Sequence, residues 1–368
     1  MSLEDRIRPV LMTAEKHAGD VDREGRFPAE TVGSLRQSGL LGLTLPTTVS
    51  GLGASPTDFL SVTRSLASRC ASSAMVYLMH VCAAQVTLAG TPGEDSAELR
   101  AMATGTNLST LAFSERGSRS HFWAPVSRLA GARMSAEKSF VTSAGHADSY
   151  VVSTRPDGAE SPIGSSLYLV PASASGIDLG DPWTGLGLRG NASAPMTFET
   201  DTADASVIGE PGKGLDLMLG VVLPWFQLGQ GAVSLGIAEA AMSAAVDHVT
   251  GARLEHLDQT LADLPTVRAR IGRAQTEVDT VAGFLTDVAR RMGEGDPQVP
   301  ILSAKASANE MAIRVTSEAM QACGGAALST RLPIERWFRD ARAGSVMAPT
   351  TDVLYELTGR ALAGMPLM

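Results

Sequence analysis

From Asp5 to about Ala103 apolar residues recur at helical spacing: Leu35, Leu40 and Leu41 precede a turn punctuated by Gly and Pro, and Phe59 to Leu66 and Met75 to Leu88 form apolar-faced runs. The spacing predicts helices. From Thr106 to about Val207 the runs shorten to Ser109–Phe113, Tyr150–Ser153, Leu167–Val170 and Met196–Glu199, separated by Gly, Pro, Asn and Asp. That texture predicts antiparallel strands. After Gly212-Lys-Gly214 helical periodicity returns and holds to Leu362, with alanine-rich stretches at Ala238–Ala245 and Ile301–Met320. The order predicts a mainly α chain with a β middle domain: helical residues 1–105, β residues 106–212 and a helical 213–368.

One stretch tests that reading. Leu217 to Ala238 carries no charge over 22 residues, long enough to span a bilayer. It contains Pro224, Gln227, Gln230 and glycines at 220, 229, 231 and 236, and its flanks are Asp216 and Glu239 instead of Lys/Arg anchors. The pattern predicts a kinked, buried core helix and no membrane partner.

With 44% hydrophobic residues over 368 positions the chain can bury a large core. Its net charge of −9 includes no basic block, which argues against nucleic acid as a partner. Cys70, Cys82 and Cys323 sit singly, as reduced thiols do. The six histidines lack the spacing that places two rings on one metal, so no metal is expected. Met1 to Arg23 mixes charges at helical spacing and does not read as a secretory signal, so the expected location is cytoplasmic. Gly185-Leu-Gly-Leu-Arg-Gly190 satisfies G-x-G-x-x-G, but Pro182-Trp183 before it and the loop from Asn191 after it are not the strand and helix a dinucleotide site requires. It reads as a turn, and so does Gly209-Glu-Pro-Gly-Lys-Gly214.

The run Gln321-Ala-Cys-Gly-Gly followed by Pro333-Ile-Glu-Arg-Trp-Phe-Arg-Asp340 resembles the Q-x-x-G-G…P-x-E-x-x-x-R-D signature of acyl-CoA dehydrogenases. Gly39–Pro46 with Gly51–Ala54, Ala112–His121 and Lys138-Ser-Phe-Val-Thr-Ser-Ala144 are similar to further family segments, so the resemblance spans essentially the whole chain. It implies an N-terminal helical domain, a central antiparallel β-barrel-like domain and a C-terminal four-helix bundle. It also implies FAD held at the subunit interface of a homotetramer or homodimer, an acyl thioester or other small-molecule substrate, and an electron acceptor or flavin reductase as partner. Residue by residue, Phe113 and Ser114 fall beside the flavin, Ser120 near the FAD phosphates or substrate, and Phe140 and Thr142 where the family has the Trp wall and the Thr at flavin N5. Phe for Trp retains a flat apolar face. Gln321, Gly324 and Gly325 would pass the cofactor's pyrophosphate, glycine allowing close approach. Thr350 matches a flavin-contacting Thr, while Asp352 replaces a family Gln. Of the R-x-x-F-G-x-x-L-x-x-x-Q run at the adenine end, only Arg253 is retained.

The chain departs from the family at its chemistry. Where the family reads Tyr-Glu-Gly-Thr, with Glu as the base, this sequence has Met347-Ala348-Pro349-Thr350. The alternative base position on the core helix holds Phe226-Gln227. Thioester dehydrogenation needs a group to take the α-proton as hydride leaves the β-carbon. Glu115 and His121 are the substitute bases the sequence offers, and His80, Phe226, Met347 and Ala348 the expected pocket walls. Three readings follow: a dehydrogenase with a non-standard base, a flavin-dependent monooxygenase of the related branch, with which Pro349 agrees, or a catalytically silent flavin- or acyl-binding homologue.

Overall fold

The computed structural model describes residues 2–118, 121–159, 161, 163–294 and 298–367. Five helices build the N-terminal part: α1 (Leu3–Glu24), α2 (Ala29–Ser38), α3 (Pro56–Ala67), α4 (Ala71–Gly90) and α5 (Ala97–Thr104). Ser2 with Asp5 and Ser55 with Asp58 form capping boxes that satisfy the first free N–H groups of α1 and α3. Helix α4 is buried on nearly every side, which explains an apolar sequence without a polar face.

Two four-stranded sheets follow. One has the order β1 (Ser109–Ala112), β4 (Ser149–Thr154), β5 (Ser166–Pro171), β8 (Ser206–Ile208); the other β2 (Arg128–Ala130), β3 (Arg133–Val141), β7 (Ala194–Asp201), β6 (Ile177–Leu179). The antiparallel expectation needs one correction, because β1 and β4 pair in parallel. The chain between them passes through the other sheet, a crossover long enough to bring β4 back in the same direction. Met134, Ala136, Tyr150, Val152, Val170 and Phe198 fill a second core between the sheets. The β3–β7 register shifts between Lys138 and Val141. Such an irregularity re-aims side chains, and Phe140 stands 63% exposed within it.

The C-terminal part begins with α6 (Gly214–Leu217), a π-helical turn at Met218–Val222, and α7 (Leu223–Gly251). α8 (Pro265–Glu294) and α9 (Gln298–Cys323) pack with α7 as a bundle, and α12 (Thr351–Leu362) packs on α9; α10 (Ile334–Asp340) and α11 (Ala343–Val346) lie before α12. The segments Ala71–Gly90 and Gly214–Gly251 are long and apolar enough to cross a membrane, but 83% and 78% of their most apolar windows are buried inside the protein. The uncharged stretch is thus the bundle's core helix, with its irregular turn ahead of Pro224.

Inside the β domain Lys138 and Glu115 form a fully buried ion pair. Lys138 Nζ also donates to the Ser153 carbonyl at 2.6 Å, and Glu115 accepts from the Ser127 N–H at 2.8 Å and its hydroxyl at 2.6 Å. Burial alone would raise the Glu115 carboxyl, but the Lys138 ammonium and the Ser127 bonds outweigh it and hold it below its usual range. Lys138→Met leaves a buried carboxylate without its counter-charge and should cost about 3–5 kcal/mol in chemical denaturation. Pairing it with Glu115→Leu should restore most of the loss. A single variant as stable as the wild type would contradict this account.

Candidate functional site

The three parts meet at Arg339 and Asp340, the last turn of α10. Arg339 grips both carboxylate oxygens of Asp22 on α1 at 2.9 and 2.6 Å, bonds Glu335 at 2.8 Å and donates to the Leu186 carbonyl at 3.1 Å. Asp340 accepts from the Leu188 N–H at 2.7 Å, and its burial raises the carboxyl pKa to about 6. Arg189 returns the contact with a 2.7 Å bond to the Asp22 carbonyl, and the Gly190 N–H donates to Ser72 on α4 at 3.2 Å. A Cβ at Gly187 would lie 2.6 Å from the Arg339 carbonyl oxygen, and one at Gly190 2.2 Å from Val21. Gly187 and Gly190 are therefore glycines because the two helical domains press on the loop there.

Beside this junction lies a cavity of about 570 Å³, a volume typical of small-molecule sites. Met75 and Met79 of α4, Phe122 and Leu111 form one side, and Val222, Phe226, Ala343, Val346, Met347 and Ala348 the other. Phe140 and Trp183 flank it, their rings meeting edge to face at 6.1 Å. The polar lining includes Ser114, Asn191 and a hydroxyl pair, Thr142 and Ser193, 3.2 Å apart. Among the described residues no carboxylate lines it, and its charged side chains are Arg339 and Arg342.

Of the residues singled out in the sequence, Phe113, Ser114, Phe140, Thr142, Phe226, Met347 and Ala348 come together around this cavity. Gln227 points elsewhere: it is fully buried in α7, and its amide has no partner among the described residues. Two expectations for chemistry require correction. Glu115 is committed to Lys138 and Ser127 and does not line the cavity. His121 is exposed, edge-on to Trp123 at 5.3 Å, and does not line it either. The pocket-wall expectation for His80 also fails: its Nε2 bonds the Leu41 carbonyl at 3.2 Å, its Nδ1 accepts from Ser109 at 3.0 Å, and burial lowers its pKa to about 4. It is a neutral core histidine joining α4 to β1. Thr350 precedes α12 outside the lining, and Gln321, Gly324 and Gly325 are exposed at the end of α9. Ser120 lies outside the described residues.

The sequence reading missed Lys305, Asn191 and Arg342. Lys305, fully buried on α9, donates to the Met347 carbonyl at 2.9 Å and the Pro349 carbonyl at 2.6 Å, on either side of Ala348. Its Nζ is 5.9 Å from the centre of the Phe226 ring. One buried amine thus stands behind both positions at which the family resemblance places a base. A lone lysine on the apolar face of an alanine-rich helix was the available signal. Arg342 stacks its guanidinium 3.5 Å above Phe338 and bonds Thr316 and Ser317 of α9 at 2.9 and 3.0 Å, tying the segment after α10 to the bundle.

Burial pulls Lys305 down to about 7 from 10.5. The folded state then binds fewer protons than the unfolded one between those values, so stability falls as pH drops through that range and is regained above it. The stability of the wild type relative to Lys305→Met should rise from about pH 7 to about pH 10. A difference independent of pH in paired denaturation curves would show that the amine stays charged.

A helical domain, a two-sheet domain and a helical bundle closing on one shared cavity define the acyl-CoA dehydrogenase type of scaffold. Comparison with known proteins agrees: the N-terminal, middle and C-terminal domains of acyl-CoA dehydrogenases match residues 3–106, 110–200 and 212–363. The chain belongs to the acyl-CoA dehydrogenase family, a family of flavoprotein oxidoreductases acting on CH–CH groups. It is 26% identical over 354 residues to the probable acyl-CoA dehydrogenase FadE25 of Mycobacterium tuberculosis, covering 94% of this chain and 90% of that one. It is 27% identical over 355 residues to the human mitochondrial short-chain specific acyl-CoA dehydrogenase, covering 91% and 83%. Butyryl-CoA dehydrogenase from Megasphaera elsdenii shares the fold with a TM-score of 0.87 at 22% identity, over 99% of both chains. FMN-bound TdsC from Paenibacillus sp. A11-2 does so with a TM-score of 0.88 at 21% identity, over 99% and 98%.

Proposed function

We propose that the chain binds FAD at this cavity and oxidises an apolar acyl thioester seated between Phe226, Met347 and Ala348. The observation that carries the reading is the convergence of Phe140, Thr142 and Ser114 with that apolar floor in one cavity. The group fits these residues: Phe140 and Trp183 offer wet aromatic faces to a planar ring, and hydroxyls from Ser114, Thr142 and Ser193 line the same space. Bound there, a flavin supplies the hydride acceptor. The chain's own residues exclude water, orient the acyl group and, through Lys305, fix the carbonyls on either side of Ala348. At Gly324 and Gly325 an added Cβ would meet nothing within 4 Å, and Leu328 is 78% exposed. This open end of α9 supports assembly as a homodimer or homotetramer that completes the site.

The carboxylate-free lining favours a second reading, flavin-dependent monooxygenation of an apolar ring or heteroatom, which takes no α-proton from the substrate. Anaerobic addition of an acyl-CoA panel to the flavoprotein separates the two. Bleaching of flavin absorbance by thioester alone supports the dehydrogenase. Reduction only by NADH plus a reductase, followed by oxygen uptake coupled to substrate, supports the monooxygenase. Failure to bind flavin sinks both.

Ala348→Glu combined with Pro349→Gly should install a base and relieve the backbone restriction that proline imposes. Burial would raise the new carboxyl's pKa and Lys305 would lower it, keeping it ionised near neutrality. The expected outcome is acyl-CoA-dependent bleaching accelerated by about 10²–10⁴-fold. Fast wild-type bleaching that neither change alters would place the proton acceptor elsewhere. Thr142→Val should remove a hydrogen bond worth about 0.5–1.5 kcal/mol and shift the visible spectrum of the bound flavin. An unchanged spectrum and affinity would place Thr142 away from the ring.

A further inference from the structure

Asn191 is the most incompletely satisfied polar side chain of the cavity wall. It is 1% exposed, it lines the cavity, and neither its Oδ1 nor its Nδ2 has a hydrogen-bond partner among the described residues. Buried amides are ordinarily paired on both ends, and an unpaired one requires a reason. Its backbone is well held. The Asn191 N–H donates to the Leu188 carbonyl at 3.1 Å, and its carbonyl accepts from Ser143, next to Thr142, at 2.9 Å.

The turn that presents it is strained. Leu188 at φ 50° and Ala192 at φ 51° bracket Asn191, both non-glycine residues in the left-handed region. Such conformations persist only where surrounding contacts enforce them, and they concentrate at ligand-binding sites. Here the enforcing contacts are the Asp340 bond to the Leu188 N–H at 2.7 Å and the Ala144 N–H bond to the Ala192 carbonyl at 3.1 Å. Two domains therefore hold a strained turn that buries an amide against the cavity and gives it no partner. A side chain serving only to pack would be apolar.

We propose that Asn191 is a ligand-reading residue whose Nδ2 donates to an amide-type carbonyl on the bound molecule and whose Oδ1 accepts an N–H where that molecule sets one beside it. Asparagine presents one acceptor oxygen and one donor NH₂ side by side. That carbonyl is available from two sources: the pyrimidine edge of a flavin, which also sets an N–H beside it, or an amide carried by the thioester substrate beyond its acyl group, whose trans N–H points the other way. The inference deepens the flavin-dependent reading and rests on the same cavity.

The experiment uses the whole chain with Asn191→Leu, close in size and lacking both polar atoms, and Asn191→Ala, smaller and lacking both as well. FAD affinity is measured by fluorescence titration and ligand-free stability by thermal melting. Two thioester probes follow, S-ethyl thiobutyrate, which has no amide, and the N-acetylcysteamine thioester of butyrate, which has one. Their binding is read by flavin absorbance and by calorimetry. Asn191→Leu should melt no lower than the wild type without ligand, because it removes an unpaired amide, and should lose roughly 10-fold or more in affinity for the matching ligand.

If the edge belongs to the flavin, FAD affinity falls and both probes behave alike. If it belongs to the substrate, FAD affinity holds and the wild type's preference for the amide-bearing probe disappears. Asn191→Ala should show the same loss, and it decides the matter if the leucine variant does not fold. The proposal is overturned if FAD affinity and probe preference both match the wild type, or if ligand-free stability drops while affinities hold. A wild type that binds no FAD overturns the function reading instead, and the calorimetric comparison of the two probes then decides Asn191 by itself.

Discussion

The structure turns on one short junction, where Arg339 grips Asp22 and the Leu188 N–H donates to Asp340. A bidentate guanidinium–carboxylate pair fixes direction as well as distance. Arg339 holds α1, Asp340 holds the loop of the β domain, and both are fixed to the bundle by α10. Each cavity wall belongs to a different part of the chain, and this contact locks the loop in place where α3 and α4 pack on α7 and α4 packs on β1. The neighbouring glycines serve the same end, since side chains at 187 or 190 would push the loop off both helical domains.

Most of the architecture was legible because its periods are strong. The helical spacing of α3 and α4, the short runs of β1, β4, β5 and β7 and the uncharged α7 all announce themselves in the order of apolar residues. Strand β3 was legible only through a family resemblance, because Lys138 occupies one of its buried positions and masks the alternation. The parallel pairing of β1 with β4 is set by a crossover that no local pattern encodes.

The cavity was legible where a residue type announces its use. Phe140, Thr142, Met347 and Ala348 could be aligned with family motifs and do meet in space. Glu115 and His121 had the right chemistry in the right loop, but a sequence cannot show that Lys138 from β3 captures one and that the other faces solvent. Lys305 escaped notice for the opposite reason. It is distant in sequence from Ala348, and its importance comes from the carbonyls it holds.

The displaced register of β3 has a consequence for the protein's handling in the cell. By turning Phe140 outward beside Trp183, it leaves an aromatic shelf open to water. Exposed apolar patches of this kind are aggregation liabilities until something covers them. On the flavin reading proposed above, the molecule that covers this shelf also governs solubility, a property separate from the intrinsic stability of the fold.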